Sequence, residues 1–361
     1  MKIGLLQEGE IPASEIANPR AYQRRYEELI EEVIAADALG FSAWGTSEQH
    51  FSPPRFTVSA PEVLYAAVAA RTKRIRIRPM STVLVTWNHP LMVAERLATL
   101  DIVSAGRAEL CTARSNNAHS LEAFGVDPAT TREQWAESLQ IVIKAMTDDI
   151  VEHNGRFWQI PPLRVVPKPV QQPHPPILVA ASSVATHEAA ARQGIGVIGF
   201  ENYFGWSYLE ECIDAYQSAE HNVTPVASVA NNYVGLYVAT AHCAPTAGQA
   251  AEEARDVALG YFKFILDLYR PMASNPSYEY MGKINSLVQH ENDLDFLLTE
   301  TPSVMIGTPE DFVTRLQRLE EMGIDEVLLR VDGLGHERNM QAIELIGREV
   351  IPAFSPAETV V

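Results

Sequence analysis

Residues 41–51 read FSAWGTSEQHF, and this stretch contains the pattern that decides the fold. The apolar run Phe41–Trp44 changes abruptly into a polar series at Glu48–His50. Residues 22–39 before it have apolar side chains at helical spacing, and Gly40 follows them in a position typical of a helix C-terminus. The run is therefore predicted to be a buried parallel strand that delivers an acid, an amide and an imidazole to its C-terminal end. In parallel α/β sheets, chemistry takes place at that end.

The same alternation of apolar runs and helical segments continues along the chain. Further strands are predicted at residues 2–7, 75–82, 107–113, 177–180, 194–200, 230–239 and 324–331. Strands that alternate with helices, without a break in composition, predict one domain (1–361) with a parallel sheet. Eight such units in 361 residues fit a (β/α)8 TIM barrel with insertions. A doubly wound open sheet is the alternative, although no GxGxxG follows the first strand.

Three further segments have recognisable patterns. Asn154-Gly155 lies at the centre of residues 150–160 and is typical of a hairpin turn. Residues 271–302 have mixed composition and weak periodicity, which at this length indicates a functional lid or an insertion before the last βα unit. After them, Thr308 and Pro309 are typical of a helix N-cap and of its first position.

Composition and charge exclude several classes of protein. The chain has 46 acidic and 28 basic residues, a formal charge of −18, which argues against a surface that binds nucleic acid or an anionic membrane. No apolar run approaches the roughly 18 residues of a membrane span. Its three cysteines are far apart and predict neither a disulfide framework nor a zinc site. We therefore expect a soluble cytoplasmic protein.

Polar side chains at the predicted strand ends are the candidate site residues. In a barrel these ends converge on one mouth. The candidates are Glu48, Gln49, His50, Ser81, Thr82, Arg114, Ser182, Ser183 and Thr186. Hydroxyls and N–H groups at a helix N-terminus, with an arginine, predict a phosphate site, but an ordinary serine cap beside a surface arginine fits the same pattern. His50 fits either a site role or a core position. There is no HExxH or other metal-ligand spacing, so no metal site is predicted.

From Lys2 to about Phe354 the chain resembles the bacterial luciferase-like flavin-dependent monooxygenases. The order and spacing of several segments carry the resemblance, rather than any single motif. The segments are Gly40–Phe51, Asn88–Pro90 with Glu95 and Leu100-Asp101, Ser104–Arg107 through Arg114-Ser115, Phe124–Asp127, Val179–Ser183 and Ile306–Pro309. The resemblance implies a (β/α)8 barrel with an insertion before the last βα unit. It also implies reduced FMN at the barrel mouth, or the deazaflavin F420 as in some relatives.

The family's cofactor residues map onto named positions of this chain. The resemblance implies that Arg114 and the Ser182, Ser183 and Thr186 loop hold the phosphate. It also implies a non-prolyl cis peptide bond at Ser81-Thr82 under the flavin. There are two departures from the family pattern: Gln49 replaces the histidine that acts as a base in luciferase, and Ala113 replaces a cysteine near the reactive flavin carbon. An amide cannot accept a proton at neutral pH, so that acid–base step cannot be copied here.

The function expected from this resemblance is that of a two-component FMN-dependent monooxygenase. A separate flavin reductase would supply reduced FMN, and O2 would form a flavin C4a-peroxide that attacks a small, partly apolar organic substrate. Glu48, Gln49 and His50 would form the catalytic group, with His50 transferring protons and Gln49 donating a hydrogen bond. The alternatives are an F420-dependent hydride-transfer oxidoreductase and a non-catalytic flavin-binding subunit. The family also implies a homodimer.

Overall fold

The structure is a computed structural model that describes residues 1–354, so the last seven residues of the predicted domain lie outside the described part. Its strands are β1 Lys2–Leu6, β2 Ala43–Ser47, β3 Arg76–Met80, β4 Thr82–Val83, β5 Leu110–Ala113, β6 Val151–Asn154, β7 Gln159–Leu163, β8 Ile177–Ala181, β9 Gly196–Gly199, β10 Val234–Val238, β11 Thr240–Cys243, β12 Val304–Gly307 and β13 Glu326–Arg330.

Helices connect most of these strands. The α-helices are α1 Ala21–Leu39, α2 Pro61–Ala69, α3 Pro90–Val103, α4 Ala118–Ala123, α5 Thr131–Thr147, α6 Val184–Arg192, α7 Trp206–Ala219, α8 Ala247–Tyr269, α9 Leu294–Thr299, α10 Pro309–Glu321, α11 His336–Leu345 and α12 Ile351–Phe354. Helices of the 3₁₀ type, with three residues per turn, occupy Pro128–Thr130, Arg270–Met272 and Pro276–His290, and the last of these is kinked at Tyr278. A π-helical turn occupies Ile346–Val350. None of the helices within residues 1–354 is both long and apolar enough to cross a membrane.

Nine parallel strands form one nearly closed barrel, in the order β3-β2-β1-β13-β10-β9-β8-β5-β4. The gap between β3 and the chain just before β5 is bridged at Ile77, whose N–H donates to Arg107 O at 2.9 Å. The Ile77 carbonyl in turn accepts from the Glu109 N–H at 2.9 Å. All eight predicted strands are present, and β4 is the additional one. The TIM-barrel prediction is confirmed, and the open-sheet alternative is wrong.

Some local predictions need correction. The strand predicted at 75–82 breaks at Ser81 into β3 and β4, and the strand predicted at 230–239 begins only at Val234. Sequence analysis missed β11 and β12, which form a separate two-stranded parallel sheet. The predicted hairpin is present as the antiparallel pair β6–β7. Residues 271–302, predicted to be a lid or an insertion, are mostly 3₁₀ and α-helical and lie between α8 and β12.

The end of the barrel at the strand N-termini is closed by buried charges. The Arg78 guanidinium, on β3, pairs with the carboxylates of Glu109 and Glu326, and all three residues are buried. The Tyr233 hydroxyl donates to Glu326 Oε2 at 2.6 Å, and Ser42 donates to the other carboxylate oxygen. Above this floor, apolar side chains fill the barrel, among them Leu6, Met80, Leu178, Ile198 and Leu328. The barrel is therefore a packed core at this end, and space for a ligand is left at the other.

Candidate functional site

Backbone strain is concentrated at the C-terminal ends of the strands. Six non-glycine residues in 1–354 have positive φ. Five of them follow strands directly or within a few residues: Phe51 after β2, Ser81 after β3, Ser115 after β5, and Asn202 and Tyr203 after β9. Residues held in the left-handed region cost about 1–3 kcal/mol each and cluster where a protein needs a fixed geometry. This pattern points to the same barrel mouth that the sequence predicted.

The cis peptide bond predicted at Ser81-Thr82 is wrong for this structure. The cis bonds of residues 1–354 are Pro53-Pro54, Val166-Pro167 and Gln172-Pro173, and all of them precede proline. At the predicted place the chain turns through Ser81, whose φ is +49°. This left-handed residue ends β3 and lets the next two residues pair with β5 as β4.

A cavity of about 410 Å³ opens at this mouth. Its walls are built by the ends of the central strands, by α5, α6 and α8, and by the 3₁₀ segment Pro276–His290. Six of the nine predicted site residues line it: Glu48, Gln49, Ser81, Arg114, Ser182 and Thr186. The side chains of His50, Thr82 and Ser183 do not. A cavity of this size, mostly apolar with a few polar groups, is typical of a small-molecule or cofactor site.

Glu48 is an organising residue, because donors surround its carboxylate. The Val83 N–H donates to Oε2 at 3.0 Å, the Trp87 indole N–H to Oε1 at 3.0 Å, and Asn88 Nδ2 to both oxygens at 2.8 and 2.9 Å. His50 Nε2 lies 3.3 Å from Oε1. The carboxylate therefore fixes the loop that leads from β4 to α3, and little of its acceptor capacity remains for a ligand.

His50 and Thr82 do not line the cavity, although residues next to them in the sequence do. Gln49 lines the cavity, and the next side chain, His50, packs edge-on against Phe124 with ring centroids 5.0 Å apart. Val83 likewise lines the cavity, and Thr82 faces a second groove between α2 and α3. The strand-end rule located these segments correctly, but it did not determine which side chain of each pair faces inward.

Arg114 and the β8–α6 loop place a guanidinium group and hydroxyl groups at one end of the cavity. The Arg114 guanidinium stacks 4.1 Å from the Tyr278 ring centroid, and Nη2 donates to Ser277 O at 2.6 Å. Ser182 and Thr186 line the wall beside it. The Ser183 hydroxyl accepts from the Thr186 N–H at 3.2 Å and caps α6, so the ordinary-cap interpretation is correct for its side chain.

Arg132 is a cavity residue that sequence analysis missed. It lies in the first turn of α5, is exposed, and lines the same cavity. Within residues 1–354 its guanidinium has no hydrogen-bond or ion-pair partner, so it is free to bind a ligand. No strand-end signal precedes it, because it belongs to a helix. Two guanidinium groups, two hydroxyls and a helix N-terminus form a donor set that fits a phosphate monoester such as that of FMN.

Glu8 is a second residue that was missed, although it follows β1 by two positions. It is buried and lines the cavity on the side formed by β1, β13 and β10, away from β5 and β8 in the strand order. Its Oε2 accepts from the Tyr261 hydroxyl at 2.8 Å and from Arg330 Nε at 3.0 Å. Burial raises the pKa of Glu8 to about 7, although Arg330 and Tyr261 act in the opposite direction. The strand-end rule, applied to β1, would have found it.

Aromatic side chains cover much of the remaining wall. They are Phe56, Trp135, Phe200, Tyr237, Tyr261, Tyr269, Tyr278 and Tyr280. Flat apolar walls of this kind suit a planar ring system, because rings pack face to edge with high contact area. Tyr278 and Tyr280 come from the 3₁₀ segment Pro276–His290, and the Tyr278 hydroxyl ties that segment to Ser115 O at 2.7 Å.

Comparison with known sequences gives long matches. A family model described as luciferase-like monooxygenase matches residues 1–326. The oxygenase component of the flavin-dependent trigonelline monooxygenase of Acinetobacter baylyi is 29% identical over 353 residues, which cover 95% of this chain and 94% of that protein. The similarity therefore extends over nearly the whole length of both chains.

Solved structures share the fold at low sequence identity. The oxygenating constituent of 3,6-diketocamphane monooxygenase from Pseudomonas putida, solved in complex with FMN, superposes with a TM-score of 0.77 at 20% identity, covering 98% of each chain. An F420-dependent secondary alcohol dehydrogenase, in complex with an F420-acetone adduct, superposes with a TM-score of 0.70 at 18% identity, covering 98% of this chain and 99% of that one. Both have the same barrel architecture.

Proposed function

The chain belongs to the luciferase-like monooxygenase family, and from that premise we propose that it is a flavin-dependent monooxygenase that uses reduced FMN and O2. The observation that carries the proposal is the cavity with two arginines and two hydroxyls at one end and aromatic walls beyond them. This arrangement matches a molecule with a phosphate at one end and a flat ring system at the other.

The residues that would hold FMN divide into two groups. Arg114, Arg132, Ser182 and Thr186 would bind the phosphate, and the backbone turn at Ser81 would lie against the ring system. When bound, reduced FMN would supply the electrons that activate O2 for transfer of one oxygen atom to a small, partly apolar substrate. The alternating aromatic and aliphatic wall would orient that substrate and exclude water.

We propose a different role for each residue of the segment Glu48–His50. Gln49 offers its amide N–H from the cavity wall to the bound cofactor or to oxygen. Glu48 positions the wall through its hydrogen bonds to Val83 N and Asn88. His50 does not line the cavity. Its proposed role is therefore to position the Glu48 carboxylate through their hydrogen bond, rather than to contact a reacting atom.

We also propose that the segment 271–302 acts as the lid of this cavity. Tyr278 and Tyr280 bring the aromatic rings of this segment into the wall. From the barrel side, Arg114 donates a hydrogen bond to Ser277 O, and Ser115 O accepts one from the Tyr278 hydroxyl. A lid at this place would shield the reaction from water and open for exchange of ligands.

Flavin binding tests the proposal directly. Anaerobic titration with reduced FMN and with reduced riboflavin, which lacks the phosphate, should give tighter binding of FMN. Arg114→Ala and Arg132→Ala should each weaken FMN binding by about 10-fold or more, since a charged hydrogen bond contributes roughly 1.5–3 kcal/mol. The same variants should leave riboflavin binding nearly unchanged. The control is Arg192→Ala, on the solvent side of α6. Equal affinity of wild type for both flavins would refute the phosphate site.

Turnover tests the chemistry and the partner. The chain, FMN, NADH and an added flavin reductase should consume O2 and oxygenate a substrate, with trigonelline and a bicyclic diketone tested first because relatives act on such compounds. A separate reductase is proposed because the relative from Acinetobacter baylyi is an oxygenase component. Oxygenation by this chain without a second barrel subunit would exclude the non-catalytic alternative.

F420 is the second candidate cofactor, because a protein of the same fold is known in complex with an F420 adduct. Titration with reduced F420 beside reduced FMN separates the two. Preferred binding of F420, together with no O2 consumption in the presence of reduced FMN, would favour hydride transfer instead.

We further propose a homodimer that forms through α2 and α3. Four apolar side chains on these helices are exposed: Val63, Met92, Ile102 and Val103. They flank the groove between the two helices, which has a volume of about 530 Å³ and mostly apolar walls. Exposed apolar side chains beside an apolar groove are typical of an interaction surface.

A further inference from the structure

We propose that Glu8 is the group that exchanges protons with the substrate in the central cavity, and that Tyr261 and Tyr237 form its hydrogen-bonded relay. The proposal rests on the proposed function, because it assigns an acid–base residue to the same cavity. It goes beyond the sequence prediction, which placed proton transfer on His50.

The cavity wall contains few groups that can carry a proton at neutral pH. Among residues 1–354, its lining includes two carboxylates, Glu8 and Glu48, and no histidine, cysteine or lysine. Donors already surround the Glu48 carboxylate. The amide of Gln49 cannot accept a proton, and the His50 side chain lies outside the wall. Glu8 is therefore the titratable group that remains for acid–base work.

One oxygen of Glu8 is fixed and the other is free. Oε2 accepts from Tyr261 and from Arg330 Nε, and the backbone N–H of Glu8 donates to Asp332 Oδ2 at 2.7 Å. Within the described residues no group donates to Oε1. The side chain lines the cavity, so Oε1 is the oxygen that can meet a substrate O–H or N–H.

Two tyrosines continue the chain of hydrogen bonds from Glu8 along the cavity wall. The Tyr261 and Tyr237 hydroxyls lie 3.0 Å apart, and both residues line the cavity. Arg330 stacks 3.9 Å from the Tyr261 ring centroid, so it holds the carboxylate and the first tyrosine at once. A proton that leaves Glu8 can therefore move along a chain of hydroxyls that are already hydrogen-bonded.

Charged and titratable groups face Glu8 from every neighbouring element. They are Arg330 on β13, Asp332 after it, Tyr237 on β10, Tyr261 on α8 and Tyr203 after β9, with Glu10, Arg55 and Arg25 paired behind them. Burial outweighs the nearby arginine and raises the pKa of Glu8 to about 7. A carboxyl with this pKa is present in both forms at neutral pH, which is the condition under which a general acid–base group is most effective.

The proposed step moves one proton and leaves the electron count unchanged. In its carboxylate form, Glu8 takes the proton of a substrate O–H or N–H onto Oε1, and the electron pair of that bond stays on the substrate heteroatom. In its neutral form, Glu8 returns the proton to the heteroatom that gains negative charge later in the reaction. The substrate class that fits is a compound with an ionisable O–H or N–H next to the carbon that is oxygenated.

Infrared pH titration of the flavin-free protein tests the carboxyl itself. Two protonated carboxyl signals are expected to disappear near pH 7, because burial also raises the pKa of Glu201 to about 7. Glu8→Gln should remove one signal, and Glu201→Gln should remove the other. If Glu8→Gln leaves both signals in place, the proposal is wrong. This measurement needs no flavin, so it can succeed even if the proposed function fails.

The second measurement is the pH profile of substrate oxygenation in the turnover assay, with reduced FMN, O2 and the added flavin reductase. Wild type and Glu201→Gln should share an inflection near pH 7, and Glu8→Gln should abolish it. Tyr261→Phe keeps the Glu8–Arg330 pair but removes a hydrogen bond that favours the carboxylate, so it should move the inflection upward by about one pH unit. This variant decides the matter if Glu8→Gln does not fold. A purely structural Glu8 would change amplitudes and leave the inflection in place, which would refute the proposal.

Discussion

At the scale of the residue, Glu8 and Glu201 show that burial raises the pKa of a carboxyl both at the cavity and away from it. Burial raises the pKa of each carboxyl to about 7. Glu8 lines the cavity, whereas Glu201 lies outside it, where the Ser303 hydroxyl and the Gly205 N–H donate to its carboxylate. A raised pKa therefore identifies a candidate site only when the group also reaches a ligand.

We predict that Glu201→Gln stabilises the protein at alkaline pH. The pKa of Glu201 is raised from 4.5 to about 7, so its contribution to stability is complete below pH 4.5 and is lost as the pH rises through 7. The variant removes this loss, which amounts to roughly 3 kcal/mol. Urea unfolding at pH 5 and pH 8 measures the free energy of unfolding of both proteins. The value for the variant minus the value for wild type should be larger at pH 8 than at pH 5.

The matched control is Glu210→Gln, an exposed acid on α7. It should leave the pH dependence of the free energy of unfolding unchanged. A wild-type pH dependence in Glu201→Gln would mean that Glu201 does not titrate as described.

The sequence predicted which segments lie at the cavity, but it did not predict which of their side chains line it. The strand-end rule found Gln49, Ser81 and Arg114, which line the cavity. It did not separate Gln49 from His50, because their inward or outward direction depends on a strand end that leads into the left-handed Phe51. Arg132 gave no signal at all, since only the folded barrel brings α5 beside β5.

At the scale of the element, the contact between β2 and β3 requires a residue without a side chain. A Cβ added to Gly45 would lie 2.4 Å from Arg78 O and 2.7 Å from Met80 Cγ. Because the first neighbour is backbone of an adjacent strand, it cannot move aside without disturbing the β2–β3 pairing.

We predict that Gly45→Ala destabilises the protein by about 1–3 kcal/mol, the usual cost of overpacking. Gly248→Ala in the first turn of α8 is the control, because an added Cβ there meets no atom within 4 Å. It should be neutral or stabilising by up to about 1 kcal/mol, since alanine favours the helix. Urea unfolding of both variants checks this, and equal stability of the two would contradict the clash.

Predictions of the elements were most accurate where a cap defined a boundary. Thr308 was predicted as an N-cap, and it forms a capping box with Asp311. Gly40 was predicted to end α1, and its φ of +90° is the left-handed C-terminal conformation. The segment Pro276–His290 was missed as a helix because 3₁₀ geometry repeats every 3.0 residues and not every 3.6. The four-residue β12 was too short to give a pattern of its own.

At the scale of the whole molecule, alternation of eight strands with helices predicted a parallel sheet, and the family resemblance favoured a barrel over an open sheet. The alternation could not predict the closure, which depends on backbone hydrogen bonds between Ile77 and the chain before β5. Those contacts are non-local and leave no trace in composition or periodicity.

We predict that Val63→Asp makes the protein monomeric. Val63 on α2 is 74% exposed, and a charge there would have to be buried in the proposed α2–α3 interface. Analytical ultracentrifugation should show a dimer for wild type and a monomer for the variant. Val170→Asp, at another exposed valine away from these helices, should remain dimeric. A dimeric Val63→Asp would show that the subunits meet elsewhere.

The buried cluster of Arg78, Glu109 and Glu326 closes one end of the barrel, so the cavity lies at the other end, with Pro276–His290 beside it. In the proposed function, cofactor, substrate and product would share the mouth beside Pro276–His290. We therefore expect the exchange of ligands through this mouth, rather than the chemical step, to limit the turnover rate.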